Sequence, residues 1–134
     1  MPRLDLVTFL VDDYDRAAAW FTEVLGFSLV ADEPATTDDG RAKRWVVVRP
    51  PSGGSGLLLA LADTAEQRAA VGHQAGGRVA FFLHVADVAE RMASMRAAGV
   101  VFEGEPRHEA YGDVVVFVDL CGNRWDLIGA VEKD

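Results

Sequence analysis

Two stretches of the chain alternate apolar and polar residues in the same order. The first, VTFLVDDYDRAAAWFTEVLGFSLVADEP, spans residues 7–34; the second, FFLHVADVAERMASMRAAGVVFEGEP, spans 81–106. Each runs from a short apolar strand pattern through an Asp and a helix-length segment to a Gly, then into a second apolar run that ends in Glu-Pro. Such internal self-similarity predicts one supersecondary unit built twice. Ala17, Trp20, Phe21, Val24 and Leu25 share one helical face, as do Val88, Met92 and Met95, so both helices are predicted to pack on a core. Asp87 with Glu90 has capping-box spacing, and Asp12 or Asp13 can cap the first helix. Gly26 and Gly99 stand where a helix needs a left-handed residue to stop.

Three further strand candidates follow each helix. They are Gly26–Ala31, Arg44–Arg49 and Gly56–Ala62 in the first half, and Val100–Glu103, Asp113–Val118 and Arg124–Ile128 in the second. Pro50 to Gly54 marks a hairpin turn, and Cys121–Asn123 marks its counterpart. The polar segment 32–41 reads as a mobile loop, and Thr64 with Gln67 opens a short helix ending near Gly72. The order β-α-β-β-β thus occurs twice. It predicts an α+β chain of two four-stranded, mostly antiparallel sheets with helices outside. The expected organisation is one domain over 1–134, with module one at about 4–62, a linker helix at about 63–75 and module two at about 76–130.

Composition narrows the chemistry. Thirteen Lys and Arg against 21 Asp and Glu leave a formal charge of −8, which argues against nucleic acid as a partner. Apolar stretches such as Val114–Val118 and Gly56–Ala62 are strand-sized and too short for a bilayer span, so no membrane partner is expected. The start MPRLDLV shows no signal-peptide pattern, and the single cysteine, Cys121, forms no internal disulfide; a cytoplasmic protein is expected. Cys121 sits on a turn with no adjacent base and reads as inert, and the paired glycines lack the strand-to-helix context of a phosphate loop.

Four stretches carry a resemblance to a known family: VDDYDRAAAWFTEVLGF at 11–27, GGRVAFFLHVADV at 76–88, AAGVVFEGEP at 97–106 and YGDVVVFVDLCGNRWDLI at 111–128. The chain resembles the vicinal oxygen chelate superfamily of glyoxalase I, bleomycin-resistance proteins, fosfomycin-resistance enzymes and extradiol dioxygenases. Its most specific element is the FxDxxGNxWxL ending from Phe117 to Leu127. The resemblance implies paired modules forming a U-shaped sheet around a cavity, and a homodimer. It also implies four metal-ligand positions, which fall here on Leu6, on Leu58 or Ala60, on Ala80 and on Asp126. Only Asp126 has a donor atom, so neither a metal nor any other cofactor is expected.

If those positions face the cavity, strand alternation adds their neighbours two residues away: Thr8, Leu10, Phe82, His84, Arg124 and Ile128. Val7, Phe9, Val11, Phe81, Leu83, Val85, Trp125 and Leu127 would then pack under the helices. His84 interrupts an apolar strand and is a candidate ligand contact or acid/base, against the plainer reading of a partly solvated strand end; His73 and His108 read as loop residues. Asp126 needs a partner if buried, and Arg124, Arg44 and His84 are candidates. Trp45 and Tyr111, both read as starting strands, can stack on a flat ligand or serve rim or dimer packing.

The sequence therefore points to a metal-free binder of a small, partly apolar organic molecule, in the manner of bleomycin-resistance proteins. Leu6, Thr8, Trp45, Phe82, His84, Tyr111 and Asp126 are its expected contacts. The alternative is a lyase, isomerase or dioxygenase using His84 and Asp126 with an atypical metal site or none. A third reading is a scaffold for protein association whose cavity is collapsed by Leu6, Leu58 and Phe82.

Overall fold

Asp13 and Asp87 begin the two long helices in the same way. Each has extended backbone, and each side chain accepts a hydrogen bond from the amide three residues on, Arg16 and Glu90 respectively, at 3.0 and 3.1 Å. That satisfies one of the orphan donors of a helix start. In the computed structural model, which describes residues 1–130, these caps recur within a doubled element order. The first set is β1 (Leu6–Val11), α1 (Tyr14–Glu23), β2 (Ser28–Thr36), β3 (Ala42–Arg49) and β4 (Gly56–Leu61). After the short α2 (Ala65–Ala70) come β5 (Val79–Val85), α3 (Val88–Ala97), β6 (Val101–Glu109), β7 (Gly112–Val118) and β8 (Arg124–Gly129). Thr64 caps α2 by accepting from the Gln67 amide at 3.0 Å.

The chain forms two compact units, Met1–Val71 and Gly72 onward. Each holds one four-stranded sheet, ordered β1-β4-β3-β2 in the first and β5-β8-β7-β6 in the second. β1 runs parallel to β4 and β5 parallel to β8, while the other pairings are antiparallel. The expected α+β class and doubled module are therefore present. Gly26 and Gly99 stop the helices at φ 72° and 90°, as a residue without Cβ allows.

In the first unit Ala17, Ala18 and Phe21 of α1 are buried with Phe9, Val11, Val46, Val48 and Leu59 of the sheet. Phe9 meets Phe21 edge-on, with ring centroids 5.1 Å apart. Trp20 and Val24, expected in this core, are only half-buried, and Ala18 takes a share of the face. Val7 is exposed rather than packed beneath the helix. In the second unit Val88, Met92 and Met95 of α3 are buried, as are Val115, Phe117, Trp125 and Leu127 of the sheet. Trp125 lies between Phe81 and Phe117, at 4.7 and 5.5 Å.

Two predicted boundaries are corrected. Residues 32–36 continue β2 in register with β3 (Glu33 opposite Trp45, Thr36 opposite Ala42), so only 37–41 turns. β6 likewise runs on to Glu109, through an irregularity between Glu103 and Arg107. The prolines that read as strand stops, Pro34 and Pro106, lie on β2 and β6, which edge their sheets. An edge strand leaves one side of its backbone unpaired, so a missing N–H there breaks nothing. The polar side chains of the first hairpin are held by Arg44, whose Nε and Nη2 donate to Asp32 at 3.1 and 2.7 Å.

Candidate functional site

The turn from β7 to β8 contains the family-like motif, and its polar residue is structural. Asp119, nearly buried, accepts through Oδ1 from the amides of Cys121, Gly122 and Asn123 at 2.9–3.0 Å. Its Oδ2 accepts from Trp125 Nε1 at 2.8 Å. One carboxylate thus closes the turn and anchors the indole that plugs the core, a role the sequence reading did not assign. Anchoring Trp125 inward also fixes β8, so that Arg124, Asp126 and Ile128 face the other way.

On that face Asp126 sits opposite Phe82 of β5 and Val116 of β7. Its residue exposure is 9%, while Phe82 is 63% exposed. No described residue donates a hydrogen bond to Asp126, and its Oδ1 is buried without a partner. The partners proposed from sequence are engaged elsewhere or not bonded to it. Arg124 Nε and Nη2 both donate to Glu103 at 2.9 Å. Arg44 binds Asp15 and Asp32, and no hydrogen bond joins His84 to Asp126. The bond from Arg124 holds the Glu103 carboxyl below its ordinary value, and Glu103 in turn raises Arg124. Gly77, Arg78, Val79, Phe82, Arg124 and Asp126 line a hollow of about 430 Å³. His84, opposite Ile128, is exposed and lines neither this hollow nor the one in the first unit; the same holds for Tyr111, which is 62% exposed just before β7. His108 stands in β6 rather than a loop, with Nδ1 2.6 Å from Asp113 Oδ1 on the neighbouring strand.

The first unit has its own concavity, of about 460 Å³. Thr8, Leu10, Leu58 and Ala60 of the β1·β4 pair contribute to its lining, together with Trp45 and Tyr14. Trp45, 42% exposed, lies inside β3 rather than at its start. Tyr14 Oη accepts from the Arg44 amide at 3.3 Å, and the Arg44 guanidinium stacks 5.0 Å from its ring centroid. Hydrogen bonds to Asp32 and Asp15 raise Arg44 above its ordinary value and keep the side chain ordered at the rim. Leu6, opposite Gly56 and half-buried, does not line this concavity.

The pairing registers also test whether a metal fits. Counted back from the caps Asp13 and Asp87, Thr8 and Phe82 are equivalent. Thr8 pairs with Leu58 and Phe82 with Asp126, so Leu58, not Ala60, is the counterpart of Asp126. The ligand positions implied by the resemblance therefore hold Leu6, Leu58, Ala80 and Asp126. Three are hydrocarbon, and among the described residues no three His, Cys, Asp or Glu side chains converge on a possible metal site. A divalent cation needs about three or more protein donors, so these residues do not fit one.

Among the described residues no helix is long and apolar enough to cross a membrane. The model of the Glyoxalase/Bleomycin resistance protein/Dioxygenase superfamily matches residues 3–127. An uncharacterized protein of Shewanella frigidimarina (strain NCIMB 400) is 42% identical over 128 residues, covering 95% of this chain and 93% of that protein. The crystal structure of UcmS2 superposes with a TM-score of 0.79 at 30% identity, covering 97% of this chain and 99% of the other. TnmS3, an antibiotic binding protein from Streptomyces sp. CB03234, gives a TM-score of 0.75 at 25% identity, with 97% of each chain covered. This chain belongs to the Glyoxalase/Bleomycin resistance protein/Dioxygenase superfamily.

Proposed function

We propose that the protein binds a small, partly apolar organic molecule without a metal ion, and that binding rather than turnover is its activity. The observation that carries this reading is the replacement of metal donors by Leu6, Leu58 and Ala80 while large aromatic surface stays open beside the hollow of each unit, at Trp45 and at Phe82. Exposed aromatics beside concavities lined by both apolar and charged side chains suit a flat organic ligand that carries polar groups. The similarity to TnmS3, itself an antibiotic binding protein, supports the same class of ligand. The lyase or isomerase alternative finds less support, because His84 neither bonds to Asp126 nor lines its hollow.

The test is the metal content of protein purified without a metal-affinity tag, followed by melting curves with nickel, zinc, iron(II) and manganese and with a library of aromatic compounds. Shifts with aromatic compounds and none with metals are expected. Stoichiometric metal, or a metal shift abolished by Asp126→Ala, would return the protein to the enzymes of its family.

A further inference from the structure

At Asp126 the two repeats differ in chemistry at a matched position. In the first unit the equivalent site is Leu58 facing Thr8; in the second it is a carboxyl group facing an exposed phenyl ring. The fold therefore does not require a carboxyl group there, since its twin is built with hydrocarbon. Keeping one is costly, because Asp126 is nine-tenths buried and no described residue donates to it. Burying an acceptor that the protein leaves unmatched points to a donor that arrives with a ligand.

The lining says which donor. Arg124 is committed to Glu103 by two hydrogen bonds and acts on Asp126 only through its charge, without a hydrogen bond to it. Arg78, with no acidic partner among the described residues, adds a second guanidinium to the same hollow. With Glu103 paired to Arg124, the two guanidinium groups stand against two carboxyl groups, so the hollow has no excess negative charge to draw an ammonium ligand, and a neutral O–H is the matching donor. Phe82, directly across from Asp126, offers a ring-sized apolar surface at the distance of a cross-strand pair.

Building on the binding reading above, we propose that the hollow of the second unit is a subsite for a hydroxyl-bearing aromatic group. Its ring rests on Phe82 and its O–H donates to Asp126. The chemical class is a neutral phenol or aryl carbinol, and the hydroxyl is the group by which this protein tells its ligand from an alkylated analogue.

Calorimetry with three probes tests it: 2-naphthol, 2-methoxynaphthalene and protonated 2-naphthylmethylamine, on the wild type, Asp126→Leu, Asp126→Asn and Phe82→Ala. Naphthol is expected to bind at least about tenfold tighter than its methyl ether, because the ether has no donor to offer the buried carboxyl oxygen and leaves it unmatched. Asp126→Leu, built on the side chain its twin position already carries, is expected to bring naphthol down to the affinity of the ether and leave the ether unchanged. Asp126→Asn should fall between, and Phe82→Ala should weaken both alike. Equal binding of naphthol and ether, an unchanged ratio in Asp126→Leu, tightest binding of the amine, or no binding of any probe would each overturn the subsite. Probes that bind without hydroxyl discrimination leave the general binding reading standing, whereas a blank across the wider aromatic library removes that reading as well.

Discussion

Asp126 and Phe82 face each other across the parallel pair β5·β8, at the position where the first repeat sets Leu58 against Thr8. The same backbone thus presents an acceptor beside an exposed ring in one unit and a hydrocarbon side chain in the concavity that Trp45 also lines in the other.

Because Leu is already accommodated at the twin position, Asp126→Leu is expected to stabilise the protein by about 1–3 kcal/mol, the usual cost of a buried polar group left unmatched. Urea unfolding at neutral pH checks it. A loss of stability would mean that the carboxyl group serves the fold after all.

Asp119→Ala acts in the opposite sense. It strips the acceptor from three backbone amides and the Trp125 indole, and roughly 3 kcal/mol or more should be lost. Trp125→Phe, which removes the indole donor but keeps an aromatic plug, should cost less than Asp119→Ala. The order of the two unfolding midpoints decides whether the turn or the ring dominates.

Trp45→Ala separates binding from folding. A side chain 42% exposed at the rim of the 460 Å³ concavity should change stability by about 1 kcal/mol at most. Aromatic-library hits that occupy this concavity should lose about tenfold or more in affinity, as at interface hot spots. Undiminished affinity for every hit would place the ligand elsewhere.

Gly112→Ala is expected to cost at least about 1–3 kcal/mol from backbone strain alone. Gly112 has φ 143°, and a Cβ there would intrude on the carbonyl oxygen of Gly129 in the neighbouring strand. Gly53→Ala, at φ 96° in an open turn with nothing near the new methyl, should carry the strain without the clash and be milder in thermal melts.

Acid should weaken the fold through its arginine-held carboxylates. Hydrogen bonds from Arg49 to Asp5, from Arg44 to Asp32 and from Arg124 to Glu103 hold these groups below their ordinary values of 3.8 for Asp and 4.5 for Glu. Their contribution is complete above those ordinary values. It is lost as pH falls through the lower folded-state values, because the unfolded chain takes up the protons first. Melting temperature should therefore hold near pH 5 and fall towards about pH 2, and the drop should shrink in high salt, since these pairs are exposed. A flat acid profile would show that the pairs add nothing to the fold.

Much of the fold was legible because the signals were local. Asp13, Asp87, Thr64, Gly26 and Gly99 start or stop helices through hydrogen bonds and dihedral preferences within a few residues, and the doubled pattern shows in any linear reading. The candidate site was less legible. Strand alternation put Thr8, Leu58, Phe82 and Asp126 on the faces that line the two hollows, but it also nominated Leu6 and His84, which line neither. Alternation gives the face of a strand and not how far along the strand the hollow reaches.

Order along the chain was enough to determine the α+β class, the repeated module and the helix starts, and its motifs carried the resemblance to the superfamily that the family model matches. Tertiary structure decided what depends on pairing between distant strands. It carried β2 and β6 past their prolines because those strands are edges, and it spent Arg124 on Glu103 rather than on Asp126. It turned Asp119 inward as the anchor of Trp125, and it matched Asp126 to Leu58 through registers that no local pattern contains. Side-chain chemistry is written residue by residue, whereas a partner is chosen only when the sheet brings two remote segments within a few ångströms.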